Sequence, residues 1–131
     1  YLAEVSARSE DPDLNQRLYD LLHPYENMTI TAGVNTVCLG AAARQLGLVS
    51  CALGEWDRAE QHFEVALDLN RQMRTPPWVA WTQHDLASML LKRGRTEDRK
   101  RAVTAARASL DAAKEFGMLR LQKSCAENLI C

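Results

Sequence analysis

The feature that most constrains the fold of this chain is an internal repeat with a period of forty to forty-four residues. Moving the pattern Leu46-Gly47-x-x-Ser50-x-x-x-Gly54 forward by forty residues places it on Leu86-Ala87-x-x-Leu90-x-x-x-Gly94. After a three-residue insertion the next apolar positions also align, pairing Ala59 with Ala102, Phe63 with Ala106, Ala66 with Ser109 and Leu67 with Leu110. Each copy predicts a pair of helices, and one pair cannot bury its apolar face alone. Neighbouring pairs must therefore stack into a solenoid.

The composition also favours helices. The 131 residues include 18 Ala and 18 Leu but only seven Val and two Ile. Ala and Leu stabilise helices, whereas strands favour β-branched residues. We therefore predict one all-α domain over residues 1–131, a solenoid of about six helices stacked as antiparallel pairs. Its predicted parts are a partial pair over 1–24, a loop over 24–34, pairs over 35–74 and 77–117, and a terminal helix over 119–130.

Around the loop, periodicity predicts one long helix over residues 34–53. Residues 24–33 are the longest stretch without helical periodicity, and 29–31 predict a brief extended segment within them. Cys38 and Cys51 would then lie on opposite faces of the long helix, about 20 Å apart, too far for a disulfide. The cysteines also lack the spacing of a zinc site, so we expect reduced thiols.

The charge balance disfavours partners that are attracted by the net charge of the whole protein. Sixteen basic and seventeen acidic side chains give a net charge of -1, so neither nucleic acid nor an anionic membrane is favoured. We interpret the dense basic stretch at residues 92–101 as a solvated turn between helices, with a grip on phosphate or an acidic partner as the alternative. No signal peptide is apparent, and no apolar run approaches the roughly 20 residues of a membrane span. We expect a cytoplasmic location.

No pattern in the sequence predicts catalysis, a cofactor or a metal site. The three histidines lack the ligand spacing of a metalloenzyme. His84 adjoins Asp85, but neighbouring helical side chains point ~100° apart and are not expected to form a dyad. A pairing of Cys51 with His84 across stacked helices is a hypothesis that we rank below a buried structural thiol. We predict that the chain is not an enzyme.

One run of residues resembles the tetratricopeptide repeat. It comprises Ala43-x-x-Leu46-Gly47, Gly54-Glu55-Trp56-Asp57-x-Ala59, Phe63 and Ala66-Leu67. The run departs from the usual pattern at Arg71, where proline is common, and at Ser50, where an aromatic residue is common. Residues 13–118 are also similar to the helical C-terminal regions of large bacterial signalling ATPases and transcription regulators. The resemblance implies a right-handed superhelix and a protein-interaction scaffold, here a fragment of such a regulator; an effector-sensing domain for a small molecule is the alternative.

In repeats of this kind the first helix of each pair lines a concave groove. The resemblance places the groove on Arg44, Leu48, Cys51, Trp81, His84, Ser88 and Lys92. Its cations suit an acidic peptide, because a rigid wall loses little entropy on binding. Self-association and a plain polar surface without a ligand are the alternatives. We expect Arg44→Glu with Lys92→Glu to abolish partner binding and to leave the melting temperature nearly unchanged.

Two tryptophans lie close to the proposed groove. Trp78 and Trp81 begin a predicted helix directly after two prolines. We expect one of the two rings to pack in the protein and the other to be exposed enough to anchor a ligand or a partner.

Overall fold

The computed structural model describes residues 10–32 and 37–128. Within these ranges the chain forms six α-helices and one two-stranded antiparallel sheet. The helices are α1 (Pro12–Leu22), α2 (Ala42–Ala52), α3 (Trp56–Gln72), α4 (Pro76–Arg93), α5 (Asp98–Glu115) and α6 (Leu119–Asn128). A short 3-10 turn (His23–Tyr25) follows α1, and the strands are β1 (Thr29–Ala32) and β2 (Val37–Ala41).

Consecutive helices pack against each other along the chain, from α1 on α2 to α5 on α6. The pairs α2–α3 and α4–α5 correspond to the two aligned copies of the repeat. Ala59, Phe63, Ala102 and Ala106, which the alignment equates, are between 0% and 4% exposed and belong to one central core. The predicted all-α solenoid is thus confirmed, with the small sheet as an addition.

Close approach of the two helices in the first complete pair depends on Gly47. A Cβ atom at this position would lie 2.6 Å from the ring of Phe63, well inside van der Waals contact. The ring is fully buried, so it fills the volume that a side chain at residue 47 would otherwise occupy. This packing explains a glycine inside a helix, where it costs about 0.5–1 kcal/mol relative to alanine.

The beginning of the predicted long helix is a strand instead. The helix that we expected over residues 34–53 begins at Ala42, and Val37–Ala41 forms β2; residues 34–36 lie outside the described ranges. Cys38 is therefore in a strand and not on the helix that carries Cys51. Gly40 has a φ of +83°, which an α-helix does not contain. The extended segment predicted at residues 29–31 is confirmed as part of β1.

Side chains of the helices hold β2 in place. The backbone N–H of Ala41 donates to Oδ1 of Asn70 in α3 at 3.1 Å. Nε1–H of Trp78 in α4 donates to the carbonyl oxygen of Cys38 at 3.0 Å. A Cβ atom on Gly40 would lie 2.9 Å from the same indole ring. The strand thus depends on tertiary contacts with residues at least 29 positions away.

Two further properties of the described residues concern membrane spans and disulfides. None of the helices found there is both long and apolar enough to cross a membrane. Cys38, Cys51 and Cys125 are free thiols. Cys131 and the first nine residues of the predicted partial pair lie outside the described ranges.

Candidate functional site

A buried cation near the start of α2 is the centre of the candidate site. Nε–H of Arg44 donates to Oδ2 of Asp85 in α4 at 2.7 Å, and the two side chains are only 5% and 10% exposed. The guanidinium carbon also lies 5.8 Å from the ring centres of both Trp78 and Trp81. Aromatic faces attract such a cation. Because the charge of Arg44 is balanced inside the protein, our expectation that its substitution leaves the melting temperature unchanged conflicts with this geometry.

The Asp85 carboxylate also contacts His84, and His84 in turn contacts a third helix, α6. Nδ1 of His84 lies 3.1 Å from Oδ1 of Asp85, and its Nε2 lies 2.8 Å from Oγ of Ser124 in α6. The expectation that His84 and Asp85 do not interact is therefore wrong, because the carboxylate turns one oxygen toward the imidazole and the other toward Arg44. We call Arg44, Asp85, His84 and Ser124 the groove network. It connects α2, α4 and α6.

The predicted groove residues of α2 and of the first half of α4 fall into two sets. Arg44, Trp81 and His84 are brought together, and the rings of Trp81 and His84 meet edge to face with centroids 5.8 Å apart. Leu48 and Cys51 are only partly buried, but they pack against the central core. Arg44 and His84 are themselves buried, so in the first set the half-buried ring of Trp81 is the part that a partner can contact, whereas the second set contributes to stability.

Toward the end of α4 the wall carries an exposed cation. Ser88 is half-buried one turn before Lys92, which is exposed. Among the residues that the structure describes, no carboxylate forms an ion pair with Lys92. Of the three cations expected in the groove, Lys92 is therefore the one that faces solvent with no counter-ion among the described residues.

The environment of Cys51 does not suit a nucleophile. Burial is the main cause that raises the pKa of its thiol to about 12; the charge of Asp85 acts in the same direction, and Lys92 only partly offsets them. The thiolate is the reactive form of cysteine, and such a thiol stays protonated at neutral pH. The ring nitrogens of His84 contact Asp85 and Ser124. The hypothesis of a Cys51–His84 catalytic pair has no support in this arrangement.

Two members of the groove network, Asp85 and Ser124, are not among the groove residues predicted from the sequence. Asp85 was visible beside His84, but its role requires Arg44, which is 41 residues away. Ser124 lies in the terminal helix, 40 residues from its partner His84. One feature of the sequence could have indicated these contacts. His84 and Asp85 lie on α4, the first helix of its pair, and this helix faces α2 and α6, the first helices of the two neighbouring pairs.

Acidic residues neutralise much of the basic stretch at residues 92–101. The ion pairs join Arg93 to Asp98 and Glu60, Arg95 to Asp57, and Arg101 to Glu60. Arg93 is only 4% exposed, and the hydrogen bonds that it donates to the Asp98 carboxylate raise its pKa above the usual range. Burial favours a higher pKa for Glu60, but the arginine hydrogen bonds outweigh it and lower that pKa. The interpretation of this stretch as a solvated turn is therefore only partly right, because Arg93 and Asp98 are buried in the contact between helices, whereas Arg95 remains exposed.

This ion-pair cluster predicts a specific pH dependence. The hydrogen bond from Arg93 holds the pKa of Asp98 at about 2, below its ordinary value of 3.8. A carboxylate with a lowered folded pKa stabilises the protein above its unfolded pKa, and this contribution is lost as the pH falls through the folded value. We expect the free energy of unfolding to fall between about pH 4 and about pH 2, and Asp98→Asn to flatten that fall.

Urea unfolding at a series of acidic pH values measures this effect. Asp68→Asn is the matched control, because Asp68 is 73% exposed and pairs only with Arg71 of its own helix among the described residues. The control should keep the slope of the wild-type protein. An equal slope in Asp98→Asn would contradict the assigned role of Asp98.

An open polar pocket of about 600 Å³ lies between α1, the 3-10 turn and α3. None of these elements contributes to the groove network. The pocket is lined by Gln16, Tyr19, Asp20, His23, Glu26, Arg58, Gln61 and His62. Its volume is within the range of small-molecule sites.

Three side chains form a hydrogen-bonded chain beneath this pocket. Nδ1 of His62 lies 2.5 Å from Oε1 of Glu26, and its Nε2 lies 2.9 Å from the hydroxyl of Tyr19. The neutral imidazole satisfies both contacts when Nδ1–H donates to the carboxylate and Nε2 accepts from the phenol. Burial raises the pKa of Tyr19, although Arg58 above its ring opposes the shift. The phenol of Tyr19 therefore stays protonated at neutral pH. Within the described ranges, no group of three His, Cys, Asp or Glu side chains is arranged to hold a metal ion.

The stacked helix pairs and the wall formed by their first helices define a helical repeat protein. A family model described as tetratricopeptide repeat matches residues 39–115. The match covers more than half of the chain, which therefore belongs to the tetratricopeptide repeat family. Repeats of this family generally mediate protein–protein interaction and are typically not catalytic. Searches of curated proteins and of solved structures found no match.

Proposed function

We propose that this chain is a protein-interaction module that binds a segment of a partner protein along α2, α4 and α6. The observation that carries the proposal is the groove network, which joins the three helices through partly buried hydrogen bonds and holds the half-buried ring of Trp81 between Arg44 and His84. A wall that is already ordered loses little entropy on binding. Tryptophan is enriched among the residues that dominate binding energy.

The positions on α4 suggest the chemistry of the bound segment. Trp81 offers an apolar surface, and Lys92 offers a positive charge eleven residues further along the helix. Eleven residues of helix span about 16 Å, which about five residues of extended chain also span. We infer that the partner presents an apolar side chain and a carboxylate separated by about that distance.

Selection from a displayed peptide library, followed by fluorescence anisotropy with one selected peptide, tests this proposal. Trp81→Ala is expected to weaken the binding affinity for the selected peptide by about tenfold or more, as for an anchoring aromatic residue. Lys92→Glu is expected to weaken this affinity less and to remove much of the dependence of the affinity on salt concentration. Both variants should be checked for an unchanged circular dichroism spectrum.

Lys114→Glu is the matched control for the charge reversal, because Lys114 is exposed on α5, outside the proposed wall. It should leave the affinity unchanged. Selected peptides that bind wild type, Trp81→Ala and Lys92→Glu equally would show that binding occurs elsewhere on the protein.

We further propose that the module works inside a larger bacterial transcription regulator or signalling ATPase in the cytoplasm. The support is the similarity of residues 13–118 to the helical regions of such proteins. The sequence of the flanking gene tests this context directly. A P-loop or a helix-turn-helix segment in the same reading frame would support it, and an unrelated neighbouring domain would contradict it.

A second candidate function is the sensing of a small-molecule effector. The observation in its favour is the polar pocket of about 600 Å³ above the Tyr19–His62–Glu26 chain. In a thermal-shift screen of polar metabolites, a true pocket ligand should raise the melting temperature of wild type and of Lys92→Glu, but not of His23→Ala. A compound that stabilises all three proteins equally does not bind in this pocket.

A further inference from the structure

Residues 27–43 form the longest uncharged stretch of the chain. They contain no Asp, Glu, Lys, Arg, His or Pro, although charged residues make up 25% of the whole sequence. Both strands of the hairpin lie in this stretch. Exposed edge strands are normally protected from pairing with other chains by charged residues or proline. This hairpin lacks that protection.

The two edges of the hairpin differ in what covers them. Backbone groups of β2 are bonded by helix side chains, since Asn70 accepts from the N–H of Ala41 and Trp78 donates to the carbonyl of Cys38. In the part of the chain that the structure describes, the backbone of Thr29–Ala32 bonds only to β2. Within the described residues, the outer edge of β1 is therefore the one that presents unpaired backbone donors and acceptors.

The strand at this open edge is also the regular one. Thr29 pairs with Ala41, whereas Thr31 pairs with Cys38, so the extra residue of the bulge lies on β2. The positive φ of Gly40 falls within that bulge. Bulges twist an edge and hinder pairing, but here the bulge affects the covered strand. β1 keeps an extended edge that another strand can join.

We propose that β1 is a dimerisation edge, which pairs antiparallel with β1 of a second copy to form a four-stranded sheet. A strand that meets itself around a twofold axis is self-complementary, and the absence of charge removes the repulsion that two identical charged edges would have. Its Thr and Ile side chains suit cross-strand pairing. Tyr25 in the 3-10 turn and Met28 directly before β1 are 55% and 57% exposed and add apolar surface.

A second copy fits this edge better than a foreign strand does. The side chains of Thr29–Ala32 carry no charge that would select a partner of complementary charge, so sequence recognition is poor except for an equally neutral strand. The contact is short, and we expect a weak dimer in the micromolar range. The groove network takes no part in it, so this inference does not depend on the proposed binding function.

Paired charge substitutions at Thr31, whose side chain is exposed, test the dimer. Sedimentation velocity over a roughly hundredfold concentration range should show a monomer–dimer equilibrium for wild type. Thr31→Lys and Thr31→Glu should each be monomeric, because like charges face each other across the twofold axis. An equimolar mixture of the two variants should dimerise again, because opposite charges then meet.

Thr96→Lys is the matched control, since Thr96 is an exposed threonine between α4 and α5. It should dimerise like wild type, as should Lys92→Glu in the groove. A wild-type protein that stays monomeric throughout the range overturns the proposal. So do Thr31→Lys and Thr31→Glu variants that each dimerise like wild type, since the interface is then elsewhere.

Discussion

Replacement of Phe63 by alanine is expected to lower the free energy of unfolding by ~3–5 kcal/mol. The ring is 0% exposed and lies in the core shared by α3, α4 and α5. Its removal loses the burial of the ring and leaves a cavity beside Gly47, which has no side chain to move into the space. Urea unfolding at neutral pH measures the loss. A change below ~1 kcal/mol would contradict both the repeat alignment and the observed packing.

Gly47→Ala provides the companion measurement. Its Cβ would lie 2.6 Å from the ring of Phe63, so we expect a loss of ~1–3 kcal/mol from overpacking. In the double variant the added methyl group occupies part of the cavity left by the ring. The two losses should therefore sum to more than the loss of the double variant. Strict additivity would show that residues 47 and 63 do not share this space.

Arg44→Glu is the second variant with a large expected effect, about 3–5 kcal/mol of destabilisation. The substitution removes the cation that pairs with Asp85 at 2.7 Å and places a second carboxylate beside it. Both side chains are at least nine-tenths buried, so water screens this repulsion poorly. The contacts of the guanidinium with Trp78 and Trp81 are lost as well. Chemical unfolding and the near-ultraviolet circular dichroism of the tryptophans report the change.

Lys92→Glu separates this effect from a general effect of charge. It makes the same change of two charge units on the same groove, but at an exposed side chain. We expect its stability to stay within ~0.5 kcal/mol of wild type, as is usual for surface substitutions. If Arg44→Glu is as stable as Lys92→Glu, then Arg44 is not buried against Asp85 in solution. The earlier expectation of an unchanged melting temperature would then hold.

The groove illustrates how far the sequence leads toward a site. Helical spacing within a repeat predicts which side chains of α2 and α4 share a face, and the structure brings Arg44, Trp81 and His84 together. Periodicity does not show which cation has a buried counter-ion. That property depends on Asp85 and Ser124, whose contacts with the predicted residues cross between helices about forty residues apart. The predicted three-cation wall is consequently a neutralised network with one exposed lysine.

The sequence by itself determined the helical solenoid, because repeated small and apolar positions leave a helix pair few ways to bury its face. It also identified Thr29–Thr31 as extended and Phe63 as core. Only the tertiary structure decided that residues 37–41 form a strand. Alanine and leucine near this segment favour a helix locally, but hydrogen bonds from Trp78 and to Asn70, together with the positive φ of Gly40, stabilise the extended backbone. Contacts between residues distant in sequence outweigh a helix propensity worth only tenths of a kcal/mol per residue.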